Sequence, residues 1–278
     1  MKEEYIKSPL NYIGGKYKLL SQILPLFPSN INTFVDLFGG GFNVGVNVEA
    51  ECNVYNDICS PVVELLRYIN YKNINALLLE IDRYIEQYKL SKENKEGFLQ
   101  LRNDYNNGNK TPMKFYTLLC YSFNNQIRFN KNNEYNMPFG KYRSSFNLSL
   151  RQKFIDFHKK LNELSCVFLN ISFEKFDFAD LSNKDFVYCD PPYFNSVASY
   201  NEQKGWTEEH ERLLLDKLDE LNTRNIKFAL SNNLKYDNQF LDKWKNKYNI
   251  HYLNGDYSNC NYHKKDKSKD IEILITNY

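Results

Sequence analysis

The chain has 278 residues, with 36 Lys plus Arg against 34 Asp plus Glu for a formal net charge of +2, 42% hydrophobic residues and 25% charged. Such a length fits one large domain or a core with one insert, and the composition excludes disordered and collagen-like chains; any basic surface must be local. The cysteines at 52, 59, 120, 166, 189 and 260 form no CxxC pair, residues 1–9 lack an apolar run, and no stretch nears the roughly 20 apolar residues of a membrane span, which argues against a disulfide framework, a zinc module, a signal peptide and a transmembrane helix, and for a reducing, cytoplasmic setting.

Residues 33–38 are a short β-rich run ending in glycines, and 52–55 a second, ending at Asn56-Asp57. Ser60-Pro61 is expected to open a helix, with serine as N-cap and proline at the first helical position. Leu77, Leu78, Ile81 and Ile85 recur at helical spacing. From about 103 to 147 the rhythm breaks into an aperiodic stretch rich in Asn, Tyr, Phe and Lys. Residues 110–160 hold ten Lys or Arg and two acids, a local charge of +8, so the remainder carries −6. A solvated polar insert accounts for this as well as a phosphate-binding surface does. Aromatics reach 16%, which suits core packing or stacking platforms for bases.

Residues 185–189 (DFVYC) form a compact buried strand followed by Asp190-Pro191-Pro192-Tyr193. Thr207 is placed to cap a helix with Glu208 and Glu209 in its first turn and Leu213, Leu214, Leu218 and Leu221 on one face. Residues 227–230 are a strand ending at Ser231-Asn232, and 250–253 and 272–276 are late strands suited to a hairpin pair. Strands alternating with helices predict an open α/β sheet with crossover helices.

Three clusters carry chemistry. Asp36 is followed by Phe38 and Gly39, Gly40 and Gly41 at the end of the first strand, where glycines let a ligand approach the backbone. The pattern is neither GxGxxG nor a P-loop. Asp57 ends the next strand at a spacing from which an acid commonly bonds a ribose, although it could merely cap the following helix. In Asp190-Pro191-Pro192-Tyr193 two prolines hold the chain extended, so a carboxylate and a carbonyl can face one small amino group beside an aromatic ring. Tyr12, Gly14, Gly15 and Lys16 form a third cluster, equally readable as a turn or as a cofactor cover with a cation for a carboxylate.

NYIGGK, FVDLFGGG, VYND and DPPY, in this order, resemble the alpha class of amino-group DNA methyltransferases, the Dam-type enzymes of bacteria and phages, the phage members looking nearest. The resemblance covers nearly the whole chain. It implies a Rossmann-like, S-adenosylmethionine-dependent α/β sheet over 1–62 and 160–278, and a mainly helical and loop target-recognition insert over 63–159. It further implies methyl transfer to N6 of a flipped-out adenine in double-stranded DNA, at a short GATC-like target. By resemblance, Tyr12 and Lys16 contact S-adenosylmethionine, Asp57 its ribose and Phe176 its adenine face. Asp36, Phe38, Gly39 and Gly40 shape the methionine pocket, and Asp190, between the cofactor's amino-acid end and the target base, meets the target amine with Pro191, Pro192 and Tyr193. In the insert, Arg128 and Pro138 lie along base edges and Phe123 wedges into the stack, with Asn125, Gln126, Lys141, Tyr142 and Arg143 on the same surface. Asn11, Gln126 and the Tyr142 that precedes Arg143 depart from the family pattern, all on that surface. No metal and no membrane are expected; a monomer and a companion restriction endonuclease are. The rival readings are a cytosine-N4 enzyme, an RNA adenine enzyme and a catalytically silent DNA-binding protein on the same scaffold.

Overall fold

The computed structural model describes residues 5–196, 205–254 and 271–278, so Cys260 lies outside the described residues. Among the described residues seven strands form one sheet: β1 (Ile31–Asp36), β2 (Ala50–Asn56), β3 (Cys166–Leu169), β4 (Phe186–Cys189), β5 (Lys227–Asn233), β6 (Asn249–Leu253) and β7 (Glu272–Thr276). Their order is β3-β2-β1-β4-β5-β7-β6. The first five in that order are parallel, and β7 runs antiparallel to both its neighbours. All four residues of β4 and all five of β7 are buried, because layers cover both faces of the sheet; such strands appear as apolar runs without alternation.

From β1 the chain moves outward through β2 to β3, then returns to β4 on the other side of β1. The connections diverge between β1 and β4, and the crevice outside the carboxyl ends of strands at such a point is where open α/β sheets bind ligands. Asp36 ends β1 and is in register with Tyr188 of β4, two residues before Asp190.

Between β2 and β3 lie five helices: α2 (Ser60–Tyr71), α3 (Ile74–Gln87), α4 (Lys95–Asn107), α5 (Pro112–Tyr121) and α6 (Leu148–Glu163); the short α1 (Leu20–Ile23) precedes β1. One apolar cluster runs from Phe42 and Tyr55 at the sheet through Leu66 and Phe98 to Phe154 and Phe157, so these helices share a core with the sheet. The aperiodic stretch contains α5, whose residues from Phe115 to Tyr121 are all buried. A helix surrounded by protein presents no polar face, which is why no 3.6-residue period marks it. Helices α7 (Glu208–Thr223) and α8 (Gln239–Trp244) flank β5.

Three local expectations are corrected. Cys59, not Ser60, is the N-cap of α2: Asp57 Oδ1 accepts the Cys59 amide at 2.8 Å, while Ser60 Oγ donates to Asn170 Oδ1 at 2.7 Å. On α7 the buried stripe is Leu214, Leu215, Leu218 and Leu221; Leu213 stays 36% exposed, one position off that stripe. Strand β5 continues past Leu230 to Asn233 because β7 pairs with Ser231, Asn232 and Asn233. The Thr207 cap is present and reciprocal, with the His210 side chain returning a bond to the Thr207 amide.

Candidate functional site

The ends of β1 and β2 are tied together by a buried asparagine. Asn56 Nδ2 donates to the carbonyls of Leu37 and Ile171, each at 3.0 Å, and its Oδ1 accepts the Ile171 amide. This fixes Asp57, whose Oδ2 accepts the Gly40 amide at 2.9 Å while Oδ1 caps α2. Asp57 is thus a cap, and each of its carboxylate oxygens keeps a lone pair for a further donor. Gly39 is required by packing: a Cβ there would lie 2.3 Å from the Tyr55 ring, which is buried beneath the turn and donates to the Gly40 carbonyl at 2.8 Å. Gly40 has φ +49°, with the Tyr12 ring alongside. Asp36 accepts the Gly45 amide at 3.2 Å through Oδ2.

Across the crevice, Asp190 Oδ1 meets Lys16 Nζ at 2.8 Å. Lys16 is 3% exposed, also donates to the Gly14 carbonyl at 2.8 Å, and stands 5.1 Å from the Tyr193 ring centroid. The carboxylate that Lys16 neutralises is Asp190, because a buried ammonium needs an anion beside it; with the Gly14 carbonyl this takes two of its three N–H donors. The Tyr193 hydroxyl lies 2.8 Å from Glu272 Oε2 and 3.3 Å from Asp190 Oδ1. Its one proton goes to the nearer oxygen, which leaves Asp190 an acceptor. Glu272 is 4% exposed and its other oxygen accepts from Asn233 Nδ2 at 3.0 Å. Antiparallel β7 makes this possible: its first residue arrives where the parallel strands end.

Burial pushes the Asp36 carboxyl up to about 8, with the nearby Asp190 charge adding to it and the Gly45 amide opposing. Burial also raises Asp57, against the Cys59 and Gly40 amides, and Asp190, against the Lys16 ammonium. With Glu272, four carboxyls and one buried cation therefore surround a single crevice, an arrangement that favours a cationic ligand. Among the described residues no cluster of His, Cys, Asp and Glu could hold a metal ion.

The crevice opens into a cavity of about 2560 Å³. Tyr12, Lys16, Asp36, Phe38, Gly39, Gly40, Asp57, Asp190, Pro191, Pro192 and Tyr193 all line it. Phe176 does not: its ring packs against Phe178 in the core, 4.9 Å between centroids, and Phe173 lines the cavity in its stead beside Phe38 and Trp206. Asn125, Gln126 and Arg128 line the opposite wall with Lys131 and Lys153. This wall joins the N-terminal segment directly, through a bridge between Asn11 and Gln126 and a bond from Asn11 Nδ2 to the Asn124 carbonyl. Phe123, Pro138, Lys141, Tyr142 and Arg143 are exposed and lie outside the cavity lining, on an adjoining ridge where the Phe123 amide donates to the Pro138 carbonyl and Arg143 stands over the Phe123 ring. Asn125 Nδ2 is occupied by the carbonyls of Leu119 and Cys120, so it shapes this wall from within.

Glu272, Asn233, Phe173 and Trp206 were not singled out from the sequence. An acidic residue opening the apolar run EILIT was the one available signal for Glu272.

Residues 12–259 match the family described as D12 class N6 adenine-specific DNA methyltransferase. The chain is 50% identical to the Type II methyltransferase M.FokI of Planomicrobium okeanokoites, over 99% of the chain and 43% of that protein. It is 44% identical to the modification methylase StsI of Streptococcus sanguinis, again over 99% of the chain and 43% of the relative. The DNA N-6-adenine-methyltransferase of Escherichia phage P1 is 24% identical over 82% of the chain, so the bacterial enzymes, and not this phage one, share more of the sequence. The chain thus spans under half the length of the bacterial relatives named here.

Proposed function

The chain belongs to the D12 class N6 adenine-specific DNA methyltransferase family, and from that premise we propose that it transfers a methyl group from S-adenosylmethionine to N6 of an adenine flipped out of duplex DNA. One observation carries the reading. The acceptor Asp190, ion-paired to buried Lys16, shares a single cavity with the Gly39-Gly40 turn and a basic wall bearing Arg128, Lys131 and Lys153. Residues 63–159 are the target-recognition unit in this reading, and the remainder is the catalytic unit.

The residues fit a cationic cofactor. The turn that closes over Tyr55 leaves no room for a Cβ at Gly39, and Asp36 and Asp57 present carboxyls at the ends of β1 and β2. S-adenosylmethionine would supply an electrophilic methyl on a positively charged sulfur, held by Tyr12, Lys16, Asp36, Phe38, Gly39, Gly40, Asp57 and Asp190, with Phe173 at the adenine face. The protein's task is then placement and electrostatics.

The target amine is tied up in its base pair until the base leaves the stack. Once the base is in the crevice, the Asp190 carboxylate and the Pro191 carbonyl accept its two N–H groups and direct the lone pair. Lys16 holds Asp190 in position, Glu272 holds the Tyr193 hydroxyl, and the Tyr193 ring stacks on the base. Phe123, 39% exposed on the ridge, fills the space the base vacates. Arg128 reads a guanine edge and Pro138 a thymine methyl, following the usual pairings of arginine with guanine and apolar groups with that methyl. Lys141, Tyr142 and Arg143 extend the contact surface, with Asn125 and Gln126 shaping the wall beside it. GATC is the first target to try, with Asn11 and Gln126 as the positions that would alter an outer base pair. The relatives' names, a Type II methyltransferase and a modification methylase, support a companion restriction endonuclease. A monomer acting in the cytoplasm of a bacterium or phage-infected cell completes the reading.

The test is titration calorimetry with S-adenosylmethionine, then incubation with duplex DNA and nucleoside analysis. Binding followed by N6-methyladenine supports the proposal. Binding without transfer points to the silent DNA-binding protein, N4-methylcytosine to the cytosine enzyme, and transfer to RNA alone to the RNA enzyme.

A further inference from the structure

Arg128 is exposed, yet its guanidinium is not loose. Nε donates to Asn136 Oδ1 at 2.8 Å and Nη2 donates to the Asn136 carbonyl at 2.8 Å, while the Asn136 amide returns a bond to the Arg128 carbonyl at 3.2 Å. Those two contacts take the side-on fork of the guanidinium. A guanidinium has five N–H donors in a fixed plane. Three remain, and two of them, one N–H from each terminal nitrogen, form the end-on fork, whose parallel donors match the O6 and N7 acceptors on the major-groove edge of guanine.

The segment that presents this fork is itself braced. Asn130 Oδ1 accepts the amides of Asn132 and Glu134, and the Asn130 amide and Nδ2 both bond Glu134, closing the turn. Phe129 and Tyr135 form an antiparallel bridge with their rings edge to face. Asn106 of α4 exchanges two hydrogen bonds with the Tyr135 backbone, and Phe115 of α5 packs on both Phe129 and Tyr135. Asn136 therefore sits on a rigid platform and transmits that rigidity to the tip of a long side chain. Ordering a free arginine at the moment of binding costs conformational entropy; a side chain already held in place has paid it on folding.

We propose that Asn136 is a specificity-determining positioning residue, which holds the side-on fork of Arg128 so that the end-on fork alone addresses the base. This rests on the reading of the chain as a DNA methyltransferase with Arg128 at a base edge. It assigns Asn136 no contact with DNA.

The experiment compares kcat/KM of wild type, Arg128→Ala, Asn136→Ala and Asn136→Asp on the duplex the wild type methylates and on duplexes altered one base pair at a time. Arg128→Ala should lose discrimination at one pair. Asn136→Ala should lose about tenfold at that same pair and at no other, within the roughly 5- to 150-fold that a bidentate arginine–guanine pair carries. Its kcat on the wild-type target should hold. Asn136→Asp keeps an acceptor for the fork and should retain wild-type discrimination. Should Asn136→Ala fail to fold, Asn136→Gln carries the test, since its extra methylene displaces the acceptor and must relax the same pair. If Arg128→Ala relaxes one pair while Asn136→Ala leaves it intact, or lowers activity on all duplexes alike, the inference fails and the base-reading role of Arg128 stands. If Arg128→Ala changes no pair, the placement of the reading surface fails and the inference with it.

Discussion

Replacing Asp190 by alanine should do two separable things. It removes the acceptor aimed at the reacting amine, a loss on the order of 100-fold or more in turnover. It also strands Lys16, which is 3% exposed and has Asp190 Oδ1 at 2.8 Å and the Gly14 carbonyl as its close polar contacts. Breaking a buried pair by removing one partner costs about 3–5 kcal/mol. The Asp190 side chain is 18% exposed and faces the cavity, so water can enter the vacated space and the lower end, about 3 kcal/mol, applies. For a chain of this size that is a fall of roughly 6–12 °C in melting temperature. Adding Lys16→Met removes the stranded charge at similar volume, so the double variant should regain most of the stability and none of the activity. Thermal unfolding followed by circular dichroism and single-turnover methyl transfer read the two effects. Wild-type turnover by Asp190→Ala would refute the catalytic role. A double variant less stable than Asp190→Ala would refute the account of Lys16.

Asp36 ionises near its ordinary value of 3.8 when unfolded and near 8 when folded, so the folded state binds the extra proton and stability drops as pH rises from about 4 to about 8. Asp36→Asn cannot ionise, so its stability relative to wild type should climb across that window and level off above it; denaturant unfolding at pH 5, 7 and 9 with parallel profiles for the two proteins would contradict this. Lys153 is half-buried beside Lys7, and its ammonium is held below the ordinary lysine value by burial first and by Lys7 second. Lys153→Ala should weaken binding to all duplexes about equally and reduce the salt slope of log K by about 1, read by anisotropy across a salt titration; an unchanged slope shows that Lys153 meets no phosphate. Gly39→Ala drives a methyl into the Tyr55 ring and should cost roughly 1–3 kcal/mol together with S-adenosylmethionine binding, by thermal unfolding and calorimetry. Undiminished cofactor affinity in that variant would show that the turn does not form the cofactor pocket.

How much was legible in the sequence depends on whether a residue's role was set locally. Strands β1 and β4 announce themselves as short apolar runs, and the residues that follow them, Gly39-Gly40 and Pro191-Pro192, constrain the backbone wherever they occur. Those local signals located both halves of the crevice. The buried helix α5 left no trace because periodicity records contrast between faces, and it has none. Ser60 looked like a cap because serine usually is one, but Asn170, 110 positions away, claims its hydroxyl. Lys16 and Asp190 lie 174 positions apart, and nothing in either neighbourhood forecasts a 2.8 Å pair. Glu272 is similar, reaching Tyr193 across 79 residues by way of an antiparallel strand whose place in the sheet no local pattern sets. Phe173 and Phe176 stand three positions apart on one turn, and which of them faces the cavity depends on where Phe178 packs.

The most direct test of the central claim is to methylate an unmodified plasmid with the purified chain and S-adenosylmethionine and to sequence single molecules. The account predicts N6-methyladenine at one short motif and at no other adenines. Modification at cytosine, modification of adenines irrespective of sequence, or no modification by a chain that binds the cofactor would contradict it.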